Sequence, residues 1–413
     1  MDMFLIIALL IIVSAIYSYI NARFIKLPGT IGIVTLAILG SVITLIVERL
    51  DPGIAMHLTS LAKHINFSTT VLNVMLGFLL FATAFNLDTK KLKREMRPVL
   101  ILSTLGVILS TVIFGTIFYW VAGLVDIKIP FLYCLLFGAL VSPTDPIAVA
   151  SIIKGSKLPS NLETIISGES LFNDGIGLVL FITLLEIIHS GGQDVDFLKA
   201  VLLFVQEVFG GILLGAVSGF VAHRLMKSIN DFQTIVLVSL GLVMLNSVAA
   251  SYLHLSIPLA VVTAGLFTGG RSINADNKER SHEALEKFWT LVDGILNAVL
   301  FVMIGLQMVN VPFISNYWIA GGISIVIILG ARWLSIMLPL TFLRRSLNVN
   351  YSSINILTWA GLRGGISIAL AMSLPASPYR HLILSGSYFI VIFSIVVQGL
   401  TLNRLINASF NKV

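Results

Sequence analysis

The chain has 413 residues, 57% of them hydrophobic and only 11% charged, with a formal net charge of +6. That balance excludes a soluble domain, in which about a quarter of residues carry charge. The basic residues stand singly or in short clusters between apolar runs, which implies membrane orientation and no nucleic-acid partner, and the lone Cys134 excludes a disulfide framework or a cysteine-type metal cluster.

In chain order, apolar runs divided by polar breaks predict thirteen membrane-crossing helices, over 3–20, 30–47, 69–87, 98–123, 131–153, 161–188, 197–222, 233–250, 257–270, 284–308, 314–342, 352–374 and 381–403. The first starts Met1-Asp2-Met3 with no basic leader and no small-residue cleavage site before Arg23, so it reads as a retained span with its N-terminus outside. With that orientation the inner loops collect nineteen Lys and Arg residues, from Arg23 to Lys412, against five outside: Arg49, Lys63, Lys128, Lys199 and Arg380. The C-terminal tail, 404–413, is then cytoplasmic. Two cations, Arg332 and Arg363, fall inside spans, where each needs a carboxylate or a set of carbonyls.

Two spans are interrupted. The fifth contains Ser142-Pro143-Thr144-Asp145-Pro146, and the twelfth contains Gly361-Leu362-Arg363-Gly364-Gly365. Pro143 and Pro146 cannot donate to the carbonyls of Ala139 and Ser142, and Asp145, preceding a proline, is pushed out of helical geometry. Such breaks are tolerated in a membrane only where they are buried in protein or line a wet cavity. Broken helices at corresponding places in two halves point to a transporter's binding site. The breaks lie seven spans apart, a shift that reverses orientation. The expected fold is therefore all-α and polytopic, with two inverted six-helix repeats, about 1–190 and about 233–403. A helix near 197–222 joins them, and the broken helices cross at the midplane.

The sixth span carries G-E-S-L-F-N-D-G-I-G-L from Gly168. Ser170 and Asp174 share one helical stripe, and Glu169 and Asn173 share the next, turned by about 100°. Buried charge at this depth costs about 2.5–3.5 kcal/mol per group, so a functional role is the default reading. Thr144, through backbone and hydroxyl, with the Ser170 hydroxyl and the Asp174 carboxylate, would form an oxygen cage of single negative charge, suited to a hard cation. Arg363 is expected either to pair with Glu169, the favoured reading, or to neutralise the end of a half-helix. Asp145 is also placed to cap the half-helix that follows it. Glu207 and Asp293 read as cavity-rim or interhelical hydrogen-bonding groups rather than ion ligands.

These motifs resemble the sodium/proton antiporters of the NhaP and eukaryotic sodium/hydrogen exchanger type. The likeness covers almost the whole chain: L-F-A-T-A-F-N-L-D from Leu80, S-P-T-D-P-I-A-V from Ser142, G-E-S-L-F-N-D-G from Gly168, P-L-A-V-V-T-A-G-L from Pro258, F-V-M-I-G from Phe301 and G-L-R-G-G from Gly361. The resemblance implies a homodimeric cell-membrane antiporter serving pH homeostasis, without cofactor or enzymatic activity. It implies Thr144, Ser170 and Asp174 as Na+ ligands, with Asp174 the alternately protonated carrier. It further implies an Asp145–Arg332 pair at the crossover and a Glu169–Arg363 brace holding Asn173. The Asn173-Asp174 pair is similar to the electroneutral branch, one H+ for one Na+ or Li+. The third span carries Asn73 and Asn86 but no acid before Asp88. K+/H+ exchange by the same mechanism is the alternative. An intramembrane aspartyl protease using Asp145 and Asp174 is the enzymatic rival, against which Asp174 precedes G-I-G instead of following a glycine-x-glycine.

Overall fold

In hydrocarbon every backbone amide must find its partner within its own segment or a neighbouring one, so apolar runs of this length become helices. The computed structural model describes residues 3–50, 66–153, 156–190, 197–269, 279–310, 315–347 and 353–410. Lys63, Lys154, Arg271, Lys278 and Lys412, counted among the loop cations, lie outside these residues.

The spans are α1 (Met3–Ile20), α2 (Gly29–Leu50), α3 (Phe67–Asn86), α4 (Met96–Leu124), α5a (Phe131–Val141) with α5b (Pro146–Ile153), α6 (Ser160–His189), α7 (Phe197–Ser228), α8 (Phe232–Tyr252), α9 (Ile257–Thr268), α10 (Glu279–Gln307), α11 (Ser315–Leu347), α12a (Ile354–Trp359) with α12b (Gly365–Ser373), and α13 (Arg380–Phe410). Among the described residues ten helices are long and apolar enough to cross a membrane uninterrupted. The remaining three are the short α9 and the two broken helices. The expected tail from 404 is instead the end of α13, which stays helical to Phe410 because Leu402 and Ile406 are buried against the bundle.

Packing explains the placement of the breaks. Phe137 of α5a meets Phe114 and Phe118 of α4 edge-on, with ring centroids 5.0 and 5.2 Å apart, the preferred aromatic arrangement. This anchors α5a one turn before the interruption. Elsewhere α7 lies so close to α9 that a Cβ at Gly215 would stand 2.1 Å from the Ala260 carbonyl oxygen, a small-residue contact typical of membrane helices. The outer faces of α7 and α8 expose Phe209, Leu213, Val217, Leu237, Met244 and Val248. An apolar surface of this extent is stable against lipid, not water.

Candidate ion-binding site

At the first break α5a ends at Val141 and α5b starts with Pro146, whose missing N–H costs nothing at a helix start. Asp145 caps α5b: its Oδ1 accepts from the Ala148 N–H at 3.1 Å. At the second break α12a stops at Trp359 and α12b resumes at Gly365. The two breaks satisfy each other. The Asp145 N–H donates to the Leu362 carbonyl at 2.7 Å, and Arg363 Nη1 donates to the Ser142 and Pro143 carbonyls at 2.5 and 3.0 Å. The guanidinium thus serves the carbonyl end of α5a, where a cation is electrostatically favoured. Arg363 is held in turn by its own N–H, which donates to Ser394 Oγ at 2.8 Å, within a wide π-type turn of α13. A Cβ at Gly364 would lie 2.2 Å from Asp145 Oδ2, so only glycine allows the crossing chains to approach this closely.

The sixth helix lays its polar residues against this crossing. Thr144 is gripped by the Asn173 amide: the Thr144 N–H donates to Asn173 Oδ1 at 3.2 Å, and Asn173 Nδ2 donates to Thr144 Oγ1 at 2.8 Å. The Thr144 and Ser170 hydroxyls hydrogen-bond at 2.7 Å. Thr144, Ser170, Asn173 and Asp174 are all buried. Among the described residues Asp174 Oδ2 has no hydrogen-bond partner, although it is buried. The structure therefore brings together the hydroxyls and amide expected from the stripe pattern, with one carboxylate oxygen left over.

The charged braces are arranged differently from expectation. Glu169 Oε1 accepts from Arg332 Nη1 in a buried ion pair that ties α6 to α11. In place of the expected Glu169–Arg363 brace, it is Arg332 that bonds Glu169 directly. The reason is placement. Arg363 sits inside the α12 break, where its main chain is already fixed and the nearest acceptors are the open carbonyls of α5. Arg332 projects from a continuous helix onto the α6 stripe that carries Glu169.

Beside Asp174 lies a narrow cavity of ≈ 30 Å³. That is room for one small occupant and little else. Its polar lining comes from Thr144, Asp145, Asp174, Asn297 and Ser367, and the wall contributed by α3 is apolar: Val71, Leu76, Leu79 and Leu80. The two asparagines of α3 stand elsewhere. Asn73 and Asn86 are exposed, and Asn86 Nδ2 donates to Thr290 Oγ1 at 3.3 Å. Asn297 and Ser367 were not singled out from the sequence. The available signal was the four-residue spacing of Asp293 and Asn297, which puts both on one stripe of α10, and there Asn297 Nδ2 donates to Asp293 Oδ1 at 3.1 Å. The hydrogen bonds of Asp293 run to Asn297 within α10 itself, while the Glu207 contact is through its main chain, whose carbonyl accepts from the Ser256 N–H at 3.1 Å.

Crossed, interrupted helices with buried acid, hydroxyl and amide groups between them define an ion-coupled secondary transporter. The chain belongs to the transmembrane sodium/hydrogen exchanger family, whose model matches residues 9–408. It is 39% identical over 409 residues to the Na(+)/H(+) antiporter NhaP of Pseudomonas aeruginosa, covering 97% of this chain and 95% of that one. It is 31% identical over 411 residues to the Na(+)/H(+) antiporter NhaH of Halobacillus dabanensis, covering 98% and 97%. The fold is that of the sodium proton antiporter MjNhaP1 from Methanocaldococcus jannaschii, with a TM-score of 0.76 at 18% identity over 98% of this chain and 99% of that one. The chain is thus a multi-pass membrane transporter with an inverted-repeat fold, related to antiporters and not to enzymes.

Proposed function

We propose that the protein exchanges one Na+ or Li+ for one H+ by letting the two compete for Asp174 in an alternating-access cycle. The observation that carries this reading is the unpartnered Asp174 Oδ2, buried beside a cavity that admits a single small occupant. An ionised carboxylate in such surroundings demands a positive partner, which either a proton or a cation supplies. Thr144 and Ser170, already in contact with each other, offer hydroxyl oxygens to complete the shell of a hard cation. Asp145 positions the break, Asn173 orients Thr144, and the Glu169–Arg332 pair and Arg363 hold the frame.

Charge balance supports a one-for-one exchange. The buried acids Asp145, Glu169 and Asp174 face the buried cations Arg332 and Arg363, leaving one negative charge at the crossover. A single H+ or a single Na+ neutralises it, so the carrier moves in the same charge state with either cargo. The repeats are assigned to about 1–190 and about 233–403, joined by α7, because the two breaks lie seven helices apart. The excess of inner-loop cations supports an outside N-terminus and a cytoplasmic C-terminus in a cell membrane. The lipid-facing apolar surfaces are compatible with a homodimer embedded in lipid.

The test is proton flux in proteoliposomes under an imposed pH gradient, with Na+, Li+ and K+ compared while an ionophore clamps the membrane potential. Asp174→Asn is expected to abolish exchange with each ion. Sodium-driven proton movement that survives this substitution overturns the carrier role, and preference for K+ over Na+ overturns the cation assignment.

A further inference from the structure

A second buried oxygen without a partner belongs to a residue that lines the cavity beside Asp174, from the other half of the chain. Asn297 of α10 is 3% exposed and lines that cavity. Both hydrogens of its amide nitrogen are committed to Asp293: Nδ2 donates to the Asp293 carbonyl at 2.7 Å and to the Asp293 carboxylate at 3.1 Å. This fixes which way the amide faces, because turning it over would set Oδ1 against two acceptors. Oδ1 is consequently directed away from Asp293, and among the described residues it has no hydrogen-bond partner although it is buried. Buried polar atoms are nearly always paired, so two orphan oxygens on residues that line one cavity mark a place where something positive is held.

We propose that Asn297 Oδ1 is a neutral oxygen ligand of the transported cation, supplied across the site from α10, with Asp293 as the positioning residue that locks its orientation. The inference rests on the exchange reading and deepens it. A proton on Asp174 needs one acceptor at most, whereas a small hard cation needs several oxygens around it, and Thr144, Ser170 and Asp174 all come from α5 and α6. A ligand on α10 adds an oxygen from a third helix. It also makes cation binding, more than proton binding, sensitive to the packing of α10 against the crossing helices. Asn297 would then set the apparent affinity for Na+ and the ranking of Na+ against Li+, while Asp174 sets whether exchange occurs at all.

The experiment compares wild type, Asp174→Asn, Asn297→Ala and Asp293→Ala in proteoliposomes, measuring the Na+ and Li+ concentration dependence of proton flux. Removing a neutral ligand of a charged group is expected to raise the KM for Na+ about tenfold or more and to change the Na+/Li+ ratio. Asp293→Ala should shift KM in the same direction by a smaller factor. An unchanged KM and ratio in Asn297→Ala, or a fall in maximal rate alone, overturns the proposal. If Asp174→Asn is inactive while Asn297→Ala is normal, only the ligand role falls; if Asp174→Asn still exchanges, the exchange reading itself has failed. A readout independent of turnover is thermal stabilisation of the detergent-purified protein by NaCl relative to choline chloride, which Asn297→Ala should lose. Should Asn297→Ala not fold, Asn297→Ser, which keeps an oxygen but shortens its reach, decides in its place: a raised KM supports the assignment and an unchanged KM overturns it.

Discussion

The Glu169–Arg332 pair is the feature in which the structure departs most from the motif-based expectation, and a double-mutant cycle tests it. Arg332 is 4% and Glu169 1% exposed, so removing one partner leaves the other charge buried and uncompensated. Losses of about 3–5 kcal/mol are typical for that situation, against a near-neutral effect when both partners are replaced by groups of similar volume. Glu169→Gln and Arg332→Met alone should therefore lower the thermal midpoint in detergent sharply, and the double variant should be more stable than either single one. The coupling should exceed about 1 kcal/mol for this pair. It should be smaller for Glu169→Gln combined with Arg363→Met, because Arg363 is held by the Ser142 and Pro143 carbonyls. A double variant no better than its worse parent, or stronger coupling of Glu169 to Arg363, refutes the pairing.

Three further outcomes follow from the geometry. Gly364→Ala puts a methyl group 2.2 Å from Asp145 Oδ2, so it should separate the crossing helices and reduce exchange at least about tenfold, as read by proton flux at saturating Na+. Asn173→Ala leaves the buried Thr144 N–H without its acceptor, a cost of about 1–3 kcal/mol, and should appear both as a lower unfolding midpoint and as a raised KM for Na+. Outside the membrane, Asp231 caps α8 by accepting from the Thr234 N–H and hydroxyl at 2.8 and 2.5 Å, which holds its carboxyl below the usual range. A group with a depressed folded-state pKa stabilises fully above its unfolded value of about 3.9 and loses that contribution as the pH falls through the folded value. Thermal scans should accordingly show the wild type losing its advantage over Asp231→Ala below about pH 4.

Local chemistry was legible in the sequence where covalent or helical geometry dictated it. Pro143 and Pro146 forced the α5 break, the glycines around Arg363 marked its counterpart, and the four-residue spacings in G-E-S-L-F-N-D-G put hydroxyl, amide and acid on adjacent stripes. Which arginine met which acid was not legible, because it depends on how α11 and α12 are placed against α6, and no spacing within one helix encodes that register. The same limit hid Asn297, an unremarkable amide in an apolar run until α10 sets it on the cavity that Asp174 also lines. It also left Asn73 and Asn86 as open questions, answered only when α3 turned an apolar face of Val71, Leu76, Leu79 and Leu80 toward the cavity. Where α13 ends was equally out of reach, because the helix runs on past Arg404 through the burial of Leu402 and Ile406 against the bundle.

The reciprocal satisfaction of the two breaks has a consequence for biosynthesis. The carbonyls of Ser142 and Pro143 wait for a guanidinium that is 220 residues and more downstream, a delay of roughly 10–40 s at ribosomal elongation rates. Throughout that interval the nascent first half sits in the bilayer with polar backbone lacking its eventual donor. Chains arrested before codon 363 should for this reason be the ones the cell's quality-control proteases find first.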